Sequence, residues 1–250
     1  MINKIAAVVV LGVLLIANGF GSLASSTVWA ESSDVRLILN GQVLSTEPYS
    51  PYPSGSTVMI PLREASNALK YKVAYQKNSG TITLSGVKEK IDYKVGDDHI
   101  TINDTEKRVF KDEVVFKKEH LYVPLSFFTS LGLVTAYDAE ARLVEVYAPE
   151  VTASVIAGLL STGQFQELEN RFFSDEMKRS LSVTGLQKYW ADFTARAGTY
   201  HGIKSTESSQ KEDQVSIKCL LGFAETEASL EFVLNKSGKI IELKGNLPSI

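Results

Sequence analysis

"VMIPLREASNALKYKVAYQ" (Val58–Gln76) and "LYVPLSFFTSLGLVTAYD" (Leu121–Asp138) follow one order of residues. Each has an apolar run, a Pro-Leu step, a short amphipathic stretch and a run that closes on Ala-Tyr. In the first, Leu62, Ala65 and Leu69 fall at helical spacing. In the second, Leu125, Phe128 and Leu131 do the same. Pro61 and Pro124 suit the first turn of a helix, where a missing N–H costs nothing. Gly132 stands where a left-handed residue ends a helix.

Spacing makes this a true repeat. Asn40 precedes Pro61 by 21 residues, and Asn103 precedes Pro124 by the same 21. The unit is therefore 63 residues long and is used twice. Each unit reads strand, turn, strand, helix, strand, strand. "VRLIL" ends at Asn40-Gly41, a hairpin signal. "EPYSPYPSG" (Glu47–Gly55) reads as a loop, because its prolines cannot donate to a ladder. "KIDYKV", "HITIN" and "KRVF" alternate at period two between the copies. Neither unit has enough apolar surface to stand alone, so each helix is expected to cover part of one shared antiparallel sheet. The motif residues Pro61, Leu62, Arg63, Tyr75, Pro124, Leu125, Gly132 and Tyr137 are then structural positions.

From Pro149 the pattern changes. "VTASVIAGLLSTG" and "QFQELENRFF" read as helices, Ser174 can cap "DEMKRSL", and "GLQKYWADFTARAG" is a longer helix ending at Gly198. Four strands follow, over residues 199–206, 214–223, 228–234 and 239–244. Helices first, then an antiparallel sheet, argues for an α+β domain. Val215, Ile217, Cys219, Leu221 and Phe223 share one strand face.

The first 30 residues hold one charge, Lys4, and an apolar run from Ile5 to Ala17. Small residues then lead to Val28-Trp29-Ala30. This is the form of a secretory signal peptide, over residues 1–30. The run is shorter than the roughly 20 residues a membrane span needs. An uncleaved anchor is the competing reading. Cleavage before Glu31 removes one positive charge from the formal −3, leaving −4. Composition is otherwise that of a globular protein, with 44% hydrophobic and 22% charged residues. No basic block suggests nucleic acid. Cys219 is the single cysteine, so it has no intrachain partner and reads as a buried apolar residue.

Residues Val35 to Tyr147 resemble the copper amine oxidase N-terminal-like, or stalk, domain. That family's pattern is Asn-Gly, a loop, Val-Pro-Leu-Arg, a helix ending in Leu-Gly, Val-x-Trp and a short hairpin, commonly shown twice, and the likeness rests on the order, spacing and duplication of these signals. Lys70 replaces Gly in the first copy, Tyr75 and Tyr137 replace Trp, and Ser126 replaces Arg in the second copy. The resemblance implies an accessory fold, not the copper and quinone chemistry of the enzyme's separate large domain. Only His99, His120 and His201 could supply imidazole ligands, and they lie far apart in sequence. Val151 to Leu247 resembles a domain of unknown function from secreted bacterial proteins. Its marks are "Phe-x-x-Leu", "Phe-Ser-x-x-Met-Lys", "Leu-x-x-x-Trp", Gly-x-Tyr and "Gly-Lys-Ile". That resemblance implies a nuclear-transport-factor-two-like (cystatin-like) cone.

The expected organisation is a signal peptide (1–30), a stalk-like domain (31–148) and a cone-like domain (149–250). The sequence holds no G-x-S-x-G elbow, no H-E-x-x-H, no P-loop and no Rossmann fingerprint. The expected function is therefore an exported, non-catalytic binding protein, without cofactor or metal. It would be secreted or wall-associated, with a cell-wall polymer or envelope protein as partner. Nucleic acid is not expected as a partner, nor is membrane once the leader is removed. One alternative is a ligand or weak catalytic pocket in the second domain, lined by Tyr189, Trp190, Phe193, Tyr200 and His201. A second alternative is a membrane-tethered sensor that keeps its leader.

Overall fold

The computed structural model describes residues 35–247, with 46, 88, 212 and 213 excepted. The expected leader lies outside the described residues. The first copy of the repeat opens with the hairpin β1 (Arg36–Leu39) and β2 (Gln42–Leu44). Then come β3 (Tyr52–Ser54), β4 (Thr57–Pro61), α1 (Leu62–Ala68), β5 (Lys72–Gln76) and β6 (Thr81–Ser85). A linking strand, β7 (Lys90–Lys94), follows. The second copy runs through β8 (His99–Ile102), β9 (Glu106–Val109), β10 (Val115–Lys117) and β11 (His120–Pro124). It ends with α2 (Leu125–Ser130), β12 (Val134–Asp138) and β13 (Leu143–Tyr147).

The two copies meet at β4 and β11. Ile60 pairs with Val123, flanked by Met59–Pro124 and Pro61–Tyr122. Each residue thus faces its repeat equivalent reflected about the central pair. A local two-fold axis passes through Ile60 and Val123. Backbone angles repeat as well: φ is +49° at Asn40 and +50° at Asn103.

The strands are shared among three sheets rather than one. The central sheet has the order β10-β11-β4-β3. A second sheet, β12-β13-β1-β2, joins the closing hairpin of the second copy to the opening hairpin of the first. The third, β5-β6-β7-β8-β9, joins the closing hairpin of the first copy to the opening hairpin of the second, with β7 between them. So β1 and β13 pair in parallel, whereas β7 makes every pairing in the third sheet antiparallel. The cause is the helical crossover after each central strand. It lands the next hairpin beside the other copy's hairpin instead of its own.

Two local differences from the sequence pattern have simple causes. Pro61 and Pro124 close their strands and stand just before the helices, with extended ψ of 112° and 159°. Tyr52–Ser54 is a strand although Pro53 is in it, because β3 is an edge strand and needs no donor on its outer side. The helices α1 and α2 are too short to be stable in isolation. They are held by burying Leu62 and Ala65, and Phe127 and Phe128, in one core with Val58, Ile60 and Val123. Each such large side chain contributes roughly 1.5–3 kcal/mol.

The second half contains α3 (Pro149–Ser161), α4 (Phe165–Phe172), α5 (Asp175–Ser180) and α6 (Val183–Ala197). A meander of β14 (Tyr200–Lys211), β15 (Gln214–Phe223), β16 (Glu227–Leu234) and β17 (Ile240–Asn246) follows. Ser174 and Ser182 cap α5 and α6 by accepting from Met177 N (3.1 Å) and Gly185 N (3.2 Å). On α6, Leu186, Trp190, Phe193 and Ala197 form the buried stripe. They pack with Ile217, Cys219, Leu230 and Phe232 into a second core. Register shifts near Tyr200 and Ile203 bend β14, which runs on to Lys211. The class is α+β, as the pattern of elements predicts.

The cores adjoin. Val134, from β12, is buried in the second core. The backbone N–H of Ala148 donates to Asn40 Oδ1 at 2.7 Å. Arg171 donates to the Tyr147 hydroxyl (3.2 Å), and Lys239 Nζ donates to the Arg171 carbonyl (2.6 Å). Among the described residues no helix is long and apolar enough to cross a membrane.

Candidate functional site

Register across the central sheet decides which side chains share its outer face. Directly paired residues point the same way, and alternate residues point apart. Tyr52 pairs with Met59, Tyr122 with Pro61 and Lys117 with His120. Val58, Ile60 and Val123 face the core. Tyr52, Met59, Tyr122, His120 and Lys117 therefore lie on the opposite side.

The loop before β3 folds over that side. The Tyr49 ring stacks on His120 with centroids 3.3 Å apart. Tyr52 meets Tyr122 edge to face at 5.2 Å. The Lys117 ammonium sits 3.9 Å from the centre of the Tyr52 ring. Lys118 and Glu119 both have positive φ, +49° and +66°, and form the tight turn that carries Lys118 at the tip of the β10–β11 hairpin. Between loop and hairpin is an open groove of about 490 Å³, lined by Glu47, Tyr49, Tyr52, Lys117, Lys118 and Tyr122. Burial raises the Tyr52 phenol above its ordinary value. Burial raises Tyr122 too, reinforced by Tyr52, Glu64 and Tyr49. Both phenols thus stay protonated and able to donate. Among the described residues no carboxylate forms an ion pair with Lys117 or Lys118.

A second cleft, of about 410 Å³, lies on the seam between the cores. Tyr71, Glu89, Arg108, Gly132, Pro149 and Gln210 contribute to its walls. Arg108 donates to Glu106 Oε1 (2.7 Å) and to Gln210 Oε1 (3.1 Å). Tyr71 donates to Glu89, and burial followed by that bond raises its phenol far above the ordinary range.

The residues singled out in the second half lie as follows. Trp190 and Phe193 are buried and stacked, 5.7 Å apart and 9° from parallel. Tyr200 packs on Phe223 at 5.5 Å. His201 is exposed, beside a register shift in β14. Tyr189 is at the surface and donates to the Gly245 carbonyl (3.2 Å). The structure thus brings Trp190, Phe193 and Tyr200 together around Phe223, and leaves His201 outside. Neither of the two clefts above includes any of these five residues.

The motif residues of the repeat lie mostly in or on the first core. Pro61, Leu62 and Pro124 are buried, and Leu125 and Tyr137 are half-buried against the core. Tyr75 leans on Phe116 at 5.1 Å, Arg63 is exposed, and Gly132 has φ +83°. Cys219 is fully buried, and burial pushes its thiol up.

Both halves match known families. Residues 38–146 match the copper amine oxidase N-terminal domain. Residues 153–243 match a family described as protein of unknown function (DUF3887). No curated protein matches the chain. The first match is to a non-catalytic stalk domain, and neither match indicates a catalytic family.

The copper in the family name does not fit the donor set of this chain. His99 is on β8, bonded to Asp98; His120 is on β11, under Tyr49; His201 is on β14 of the second half. Among the described residues no three His, Cys, Asp or Glu side chains are grouped to hold a metal.

Sequence reasoning treated Glu47–Gly55 as a connecting loop and missed the groove. A signal was present. At the repeat spacing, Tyr49 and Tyr52 correspond to Asp112 and Val115 in the second copy. A difference of that size in an otherwise duplicated frame marks side chains that the frame does not require.

Proposed function

We propose that the protein is an exported, non-catalytic binding protein that acts at the cell envelope or outside the cell. The observation that carries the reading is the groove on the central sheet, where the half-exposed rings of Tyr49 and Tyr52 and two exposed ammonium groups lie over the buried Tyr122. Rings and ammonium groups bind, but they supply no nucleophile with a base to activate it. The family matches support an accessory role, and the leader-like first 30 residues support export.

Fractionation of the source cells tests the export half of this reading. The expected result is chain in the wall or medium fraction, with its N-terminus near Glu31. Recovery of the uncut 250-residue chain from the cytoplasm would refute it.

A further inference from the structure

We propose that the groove formed by Tyr49, Tyr52, Tyr122, Lys117 and Lys118 is a binding site for an anionic polysaccharide built from pyranose rings. The inference deepens the binding role proposed above and rests on it.

The two-fold frame provides an internal control. The axis through Ile60 and Val123 relates the groove to the other end of the same sheet face. There, Asp112 and Val115 stand for Tyr49 and Tyr52 at the repeat spacing. Ser54, Gly55, Thr57 and Met59 stand for Lys117, Lys118, His120 and Tyr122. The same backbone plan is therefore built once with rings and lysines, and once without them. Folding accounts for what the two ends share. It does not account for three tyrosines and two lysines gathered at one end from loop and hairpin segments more than 60 residues apart.

The chemistry of these groups selects the ligand class. A tyrosine ring offers a flat apolar face that matches the C–H face of a pyranose. Protonated phenols and ammonium groups donate hydrogen bonds to hydroxyls and acidic substituents. Lys117 is held over the Tyr52 ring and Lys118 stands on the hairpin tip, so two cations flank the rings. Glu47, Glu64 and Glu119 are the nearby acids. Glu47 lines the groove, Glu64 acts on Tyr122, and Glu119 shares the hairpin turn with Lys118. Within the lining, two ammonium groups stand against the single carboxylate of Glu47, in a chain that is acidic overall. A proline-rich peptide would use the rings and leave both ammonium groups without a role. A ringless polyanion would use the ammonium groups and leave the rings without one.

The test is isothermal titration of the full chain with polygalacturonate at low salt. Dextran, polyphosphate and poly-L-proline are the comparison arms. Polygalacturonate is expected to bind, and the others to bind at least about tenfold more weakly, a difference of roughly 1.4 kcal/mol. The Lys117→Glu/Lys118→Glu double variant and Tyr49→Ala are each expected to weaken it about tenfold or more. Lys77→Glu, on the exposed β5–β6 turn, is expected to leave it unchanged. Unaltered thermal midpoints establish that the variants remain folded. Absence of polygalacturonate binding overturns the proposal. So do equal binding of polyphosphate, preference for poly-L-proline, and binding that both groove variants leave intact. Each of these results leaves the export reading standing, and a cytoplasmic chain would leave the titration result standing.

Discussion

Lys70 and Gly132 each directly follow the leucine that caps their helix, Leu69 and Leu131, with the second helix one residue shorter than the first, and they predict opposite responses to substitution. Lys70 has φ +69° and Gly132 has φ +83°. A left-handed backbone costs a residue with a Cβ about 1–2 kcal/mol. Introducing glycine also loosens the unfolded chain, at a cost of about 0.4–1 kcal/mol. Lys70→Gly is therefore expected to stabilise the protein by about 0.5–1 kcal/mol. For a chain of this size that is a rise in Tm of about 1–4 °C. Gly132→Ala incurs the left-handed penalty. Its new Cβ would also lie 2.9 Å from Arg108 Nη1, which bonds Gln210 across the seam. The expected loss is about 1–3 kcal/mol. Urea unfolding of the full chain measures both, with shifted midpoints at unchanged slope. If both variants shift stability in the same direction, the two positions are not equivalent and the repeat-based argument fails.

Three further outcomes follow from single side chains. Ser66 Oγ is buried without a described hydrogen-bond partner, so Ser66→Ala should raise stability by about 1 kcal/mol in the same urea assay, and a loss would show that the hydroxyl is satisfied. Cys219 is fully buried, so a thiol reagent should label it only under denaturing conditions, and rapid native labelling would contradict the packing of the second core. Burial works to raise the Asp92 carboxyl, but the Lys90 ammonium (2.6 Å) and the Thr83 hydroxyl (2.6 Å) outweigh it and hold the group below its ordinary 3.8. A depressed folded pKa gives stability that is present above the unfolded value and lost as pH falls through the folded one. Asp92→Asn should therefore lower stability at pH 7 and shrink the loss seen on acidification below about pH 4, which thermal melts across that range would read.

The duplicated frame was legible because its signals are local. Asn40 and Asn103 set the hairpins, and Pro61 and Pro124 end the central strands at one fixed spacing. The helices-first second half was legible for the same reason, through Ser174, Gly198 and the alternation in β15. The exchange of hairpins between copies was not legible. Nothing near β1 states that its partner is β13, more than 100 residues away. β3 was hidden by Pro53, since a proline excludes a strand only where its N–H is needed. The groove combines a loop and a hairpin from different copies, so neither segment reveals it alone. Trp190 and Phe193 were visible as an aromatic stripe, but a stripe does not say whether it faces a core or a ligand. The structure places both rings in the second core.

The most direct test of the binding role is co-sedimentation of the full chain with purified cell-wall sacculi, before and after their anionic polymers are stripped. The account predicts that the chain pellets with intact sacculi, is released by salt, and leaves the wall material chemically unchanged. A chain that stays in the supernatant in every case, or that pellets and cleaves the wall with turnover, would contradict it.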